Sequence, residues 1–159
     1  MAIFLHVEGL EGDVTATGYE GCIECDSMQF GVGRSITTPT GTAQERESST
    51  PSVSDVTVMK IMDKCTPLLF TEACVGTAKK VKIDLVQTGQ KLQTYMAYVL
   101  DKALISAYSV SAGGGDGRPM ENITFNCTKL EMKYTPYDDA NQPLGPVPAG
   151  YNISTGEKV

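Results

Sequence analysis

Cationic residues are scarce in this chain of 159 residues: 13 Lys and Arg stand against 19 Asp and Glu, for a net charge of −6. The two signs are interspersed, so no basic footprint for nucleic acid or for an anionic membrane is visible, and both partners are disfavoured. Long apolar runs are missing too, and with them any segment that reads as a membrane insertion. The N-terminus reaches Glu8 without the basic stretch that opens a secretory signal. Export, if the chain leaves the cell, is expected to use another route.

Residues that do chemistry are equally sparse. The one histidine, His6, falls inside a predicted strand with no carboxylate or cysteine at motif spacing, so a structural or exposed imidazole is expected. Cys22 and Cys25 make a lone C-x2-C. Zinc would want a second pair or histidines, and a redox pair would sit at a helix start rather than in a strand. The odd set Cys22, Cys25, Cys65, Cys74 and Cys127 lies mostly at apolar positions and reads as reduced core residues of a protein folded in the cytoplasm. The glycine-rich segment 113–119 is followed by a strand, not by the helix that a phosphate loop requires. No catalytic residue, metal or cofactor is expected, and the chain does not read as an enzyme.

What is abundant points to sheet. Sixteen glycines, eight prolines and recurrent Thr, Val and Ile favour an all-β class, and the length fits one domain over 1–159 that needs no metal or disulfide. Strands are expected over 3–8, 21–32, 53–62, 78–86, 92–100, 121–135 and, briefly, 150–154. Two of them change phase internally, near Asp26–Ser27 and near Thr128–Lys129, as strands do where a sheet bends into a barrel. Over 78–86, Val81, Ile83 and Leu85 face the core while Lys80, Lys82 and Asp84 face water. One helix is expected, capped by Thr66, with Pro67 in its first turn, Gly76 beyond its end, and Leu69, Phe70, Ala73 and Cys74 on its apolar side. Residues 34–52 are Thr/Ser/Gly/Pro-rich and without periodicity, a long loop that is either a floppy insertion or an arm reaching a neighbouring subunit.

The stretch 92–100 raises the main question. Leu92, Met96, Tyr98 and Leu100 alternate with Tyr95, Ala97 and Val99, so both faces are apolar and both need cover. The barrel supplies one. A second copy is expected to supply the other.

Four segments then carry a resemblance: Gly21-Cys-Ile-Glu-Cys-Asp-Ser-Met-Gln-Phe-Gly-Val-Gly33, Ile61-Met-Asp-Lys-Cys-Thr-Pro-Leu-Leu-Phe70, Leu104-Ile-Ser-Ala-Tyr-Ser109, and Arg118-Pro-Met-Glu-Asn-Ile-Thr-Phe-Asn-Cys127 with Tyr134-Thr-Pro136. In this order and spacing the chain resembles the haemolysin co-regulated protein family, Hcp. The resemblance implies a small closed or nearly closed antiparallel β-barrel with a side helix, assembling as a homohexameric ring. Such rings stack into the inner tube of the type VI secretion system, which a contractile sheath drives out of the cell behind a spike protein. Small secreted effectors travel in the lumen, and export needs no signal peptide.

Under this resemblance the loop carries Thr38, Thr40, Glu45, Arg46 and Glu47 to contacts between subunits or rings. Tyr95, Ala97 and Val99 present the second apolar face to a neighbour. Ser27 and Gln29 fall on the lumen wall, with Met28 and Phe30 where the family has tryptophans. A monomeric barrel that binds a small apolar ligand in its interior is the alternative from another class. An enzyme using the cysteines is a third.

Overall fold

A computed structural model describes residues 1–41, 47–115 and 117–159. In chain order the strands are β1 (Ala2–Val7), β2 (Ile23–Cys25), β3 (Ser27–Gln29), β4 (Val32–Gly33), β5 (Ile36–Thr37), β6 (Glu47–Ser48), β7 (Ser52–Val53) and β8 (Val56–Ile61). Helix α1 (Thr66–Val75) comes next. The chain then continues through β9 (Lys79–Gln87), β10 (Gln93–Ser111), β11 (Met120–Asn126), β12 (Lys129–Tyr134), β13 (Val147–Asn152) and β14 (Glu157–Lys158).

The 19-residue β10 organises the rest. Its N-terminal half is paired on both edges, with β9 on one side and β12 on the other, and the sheet runs on through β1 and β2 in one direction and β13 and β14 in the other. Its C-terminal half pairs with β11, which leads to β8 and then β3. All these ladders are antiparallel. The register between β10 and β11 slips between Ile105 and Ala107, a bulge that lets one strand serve two sheets.

The bend expected near Asp26 is where β2 ends and β3 begins. The Asp26 N–H donates to the Met59 carbonyl at 2.7 Å, so the second sheet's last strand continues directly into the first sheet's. The circuit from β1 through β9, β10, β11, β8 and β3 therefore returns to β2 by a bend instead of a ladder. This is the mostly-β, barrel-like architecture expected, with one short helix. The other phase change is also present: β11 stops at Asn126, β12 starts at Lys129, and the Thr128 N–H donates to the Asp101 carbonyl between them.

Leu5, Ile23, Val58, Ile83, Leu100, Ile123 and Phe125 fill the interior as one packed cluster. A smaller second cluster of Phe4, Cys22 and Val86 forms on the other face of the first sheet, under the segment that connects β1 to β2.

Several expectations need correction. Residues 34–52 are no structureless loop, since β4 pairs with β7 and β5 with β6 to make a two-stranded arm. The N-cap of α1 is Cys65, not Thr66, and it makes no side-chain cap. The Thr66 hydroxyl instead accepts from the Asp63 N–H, and the Asp63 carboxylate accepts from the Cys65 N–H. Gly76 closes the helix with φ −67°, so it is not a left-handed terminus; a Cβ there would collide with Glu72. Of the four residues assigned to the helix's apolar side only Leu69 is buried, and Cys74 is exposed. Asp84 is buried rather than turned to water, because the second cluster covers its face.

Candidate assembly surfaces

Two buried charges set the electrostatic frame, and neither was anticipated. Lys60 and Glu121 sit opposite each other on β8 and β11, with side chains wholly removed from solvent. Both occupy inward phases of their strands: Val56, Val58, Lys60 on one, Glu121, Ile123, Phe125 on the other. Opposite charges on the apolar phase of two strands were the available signal.

Glu121 accepts from the Lys60 ammonium and from the Tyr108 hydroxyl, and Lys60 also reaches Asp63 at 3.1 Å. Burial pushes the Glu121 carboxyl up, but the hydrogen bonds from Lys60, Tyr108 and Thr66 prevail and hold it below its ordinary range. Burial likewise pulls Lys60 down, and its bonds to Glu121 and Asp63 more than reverse that. The network ties β8, β11, β10 and the start of α1 together. Burial also raises the Cys25 and Cys65 thiols to about 12, so both are held as thiols rather than thiolates near neutral pH. His6 is exposed on β1, opposite Lys82.

The second sheet carries the lumen candidates. Ser27 and Gln29 are both exposed on β3, and the rows they start run across the sheet as Ser27, Met59, Asn122, Ser109 and as Gln29, Thr57, Thr124, Ala107. This outer face is mostly uncharged and mixes small polar side chains with the exposed Met59 and Ile61, and Asp55 borders it, accepting from Ser106 and Asn126. Its two edges are open: among the described residues β3 pairs only with β8, and residues 104–111 of β10 pair only with β11.

The first sheet's outer face holds the other predicted contacts. Ala97 is buried, and Tyr95 and Val99 are half-buried. Part of the cover comes from the same chain, since the Tyr95 ring stands against Tyr134 and its hydroxyl donates to the Met1 sulfur at 2.6 Å. What is left open is a groove of about 620 Å³ lined by Lys82, Ala97, Val99, Glu131, Gly150 and Val159 among others. Asp84 lies directly opposite Ala97, and its Oδ1 has no hydrogen-bond partner among the described residues, while Lys82 approaches the other oxygen at 3.6 Å. Burial raises this carboxyl above its ordinary range, opposed by Lys82.

Thr38 and Thr40 are exposed on the arm, and Glu47 pairs with Thr37 through the backbone. Glu45 and Arg46 lie outside the described residues. The structure thus divides the predicted residues among three separate surfaces rather than gathering them into one site.

The described residues thus form a barrel-like sheet with a two-stranded arm and two open edges, and hold no cluster of metal ligands. The family profile described as "Type VI secretion system effector, Hcp" matches residues 4–134. The chain belongs to the Hcp family. Among curated proteins it is similar to protein hcp1 of Pseudomonas aeruginosa, 31% identical over 105 residues. That match covers 64% of this chain and 65% of the relative, so it spans just under two thirds of the relative's length. Among solved structures this Hcp chain is similar to one described as a type six secretion system protein, at a TM-score of 0.91 and 24% identity, covering 99% of each chain. Hcp1 from Salmonella typhimurium is another, with a TM-score of 0.78 and 19% identity over 99% of this chain and 98% of that one. These likenesses establish the barrel-like Hcp fold, and the family match assigns the chain to type VI secretion.

Proposed function

We propose that this chain is the building block of a type VI secretion tube: one Hcp-like domain over 1–159 that joins copies of itself into a six-membered ring, with rings stacked end to end. The observation that carries this reading is the pair of open edges on the second sheet. β3, β8, β11 and β10 alternate in direction, so β3 and β10 run oppositely. The free edge of one copy therefore meets the free edge of the next in antiparallel sense, and every copy makes the same joint. Such a head-to-tail contact closes into a ring when the rotation permits, and closure removes edges that would otherwise template aggregation.

The ring places the outer face of the second sheet, with Ser27 and Gln29, around the lumen. A wall of mostly uncharged side chains, polar at Ser27 and Gln29 and apolar at Met59, suits the passage of small secreted effectors. The arm, with Thr38, Thr40, Glu45, Arg46 and Glu47, reaches a neighbouring subunit or ring, and the face with Tyr95, Ala97 and Val99 meets a further copy of the chain in the ring or the stack. The spike protein at the tip and the contractile sheath are the remaining partners. The chain is held in the cytoplasm until the apparatus expels it. The filled interior offers no chamber among the described residues for the apolar ligand of the alternative reading.

Negative-stain electron microscopy and light scattering of the purified chain test this. Ring-shaped particles of six copies are expected, and a monomer at high concentration would sink the reading.

A further inference from the structure

Helix α1 is apolar on the side that faces water. Leu68, Phe70 and Val75 are exposed, Phe70 by 58%, and Cys74 stands among them. Its one charged residue, Glu72, is already bound to the Lys79 ammonium at 2.9 Å. A helix with apolar side chains on its outer side as well as its inner one is normally covered on both, and no cover for the outer side is found among the described residues.

The sheet registers say what lies beside it. Helix α1 runs along the open edge of β10, with Phe70 against Tyr108, and between them lies a cavity of about 230 Å³ lined by Phe70, Ala73, Cys74, Ile105 and Tyr108 among others. Within one chain Gln29 shares a row with Ala107. In a flat ring these rows continue across the joint, so a neighbour's Gln29 comes level with Ala107, and its Phe30, Gly31 and Val32 come level with Ile105, Leu104 and Ala103. At Ala103 the edge is no longer open, because β9 pairs there through Lys79. The incoming strand has to leave the sheet at that level, over the C-terminal end of α1. The chain is built to leave there: Val32, 65% exposed, projects between Gly31 and Gly33, where no side chain obstructs a close approach.

We infer that Val32 of each subunit seats against Phe70, Cys74 and the β10 edge of its neighbour, so that α1 is part of the seam between copies. This rests on the ring reading and adds a residue-level contact to it. The apolar helix face and the exposed valine are then two halves of one hydrophobic contact, repeated around the ring.

Cysteine chemistry tests it, because Cys74 is the exposed native thiol while Cys22, Cys25, Cys65 and Cys127 are buried. A short bismaleimide added to the Val32→Cys variant of the full chain is expected to give a ladder of covalent oligomers on a denaturing gel. The ladder should vanish when Cys74→Ser is added. In the wild-type protein, assembly should slow alkylation of Cys74 by N-ethylmaleimide about tenfold or more, and Phe70→Asp should weaken assembly by about thirtyfold per contact, the scale of losing an interface anchor. Rings in the microscope with no ladder and a freely reactive Cys74 would overturn the seam and leave the ring reading standing. A chain that forms no ring at all would overturn both.

Discussion

The two halves of β10 differ in how complete they are. The N-terminal half is paired on both edges, yet the carboxylate beside it, Asp84, has a buried oxygen with no partner. The C-terminal half is paired on one edge only, yet the carboxylate behind it, Glu121, is held by Lys60, Tyr108 and Thr66. Backbone satisfaction and charge satisfaction are thus traded between the two ends of one strand. The end with open backbone is backed by a buried, fully paired carboxylate. The end with a complete backbone keeps one unfilled acceptor beside a surface groove.

The largest test of this contrast is Glu121→Gln, which leaves the buried Lys60 with Asp63 alone as a countercharge. We expect a loss of about 3–5 kcal/mol in denaturant unfolding, while the double change Lys60→Met with Glu121→Leu recovers most of it. A small effect of the single change would mean that the network does not back the open edge.

Next comes Ala97→Asp on the other half. The sequence invites it as a pure interface mutation, but Ala97 is buried and faces Asp84 directly, so a second carboxylate there should destabilise the isolated chain by about 1–3 kcal/mol. Tyr95→Asp is the cleaner probe of assembly: thermal stability should stay close to wild type while the ring population falls, as read by sedimentation.

The smallest expected effect is on pH. Asp84 has a raised folded-state pKa, so its contribution is present below the ordinary Asp range and is lost as pH rises through that folded value. Asp84→Asn should therefore stabilise the chain by about 1 kcal/mol at pH 7, and the advantage should disappear near pH 4. Glu121 has the opposite sign: its stabilisation is present above the ordinary Glu range and is lost as pH falls through its depressed value. Melting curves of wild type, Asp84→Asn and Glu121→Gln across pH 3 to 8 should show slopes of opposite sign for the two sites. Parallel slopes would erase the distinction between the two ends of β10.

Much of this was readable in the chain. The phase changes at Asp26 and Thr128 placed both strand breaks, because side-chain direction alternates with period two and a slip has to be absorbed by the backbone. The alternation of Ile123 and Phe125 was equally plain, and extending it by one step would have exposed Glu121. The pairing within the arm was missed because its ladders are only two residues long, too short for a hydrophobic period to mark them. The helix misled differently: Phe70 and Cys74 look like core residues by composition, but both stay exposed among the described residues, with Phe70 touching Tyr108 on one side only.

By itself, the sequence determined the all-β class, the places of the main strands though not the run of β10 on to Ser111, the two bends and the kinship with Hcp, since periodicity and residue type act locally along the chain. Only the tertiary structure decided that Asp84 is buried, that Lys60 and Glu121 meet, and that one sheet ends in two open edges of opposite direction. Those properties depend on which strands become neighbours, and pairing between residues far apart in the chain is not written in the pattern of either strand alone.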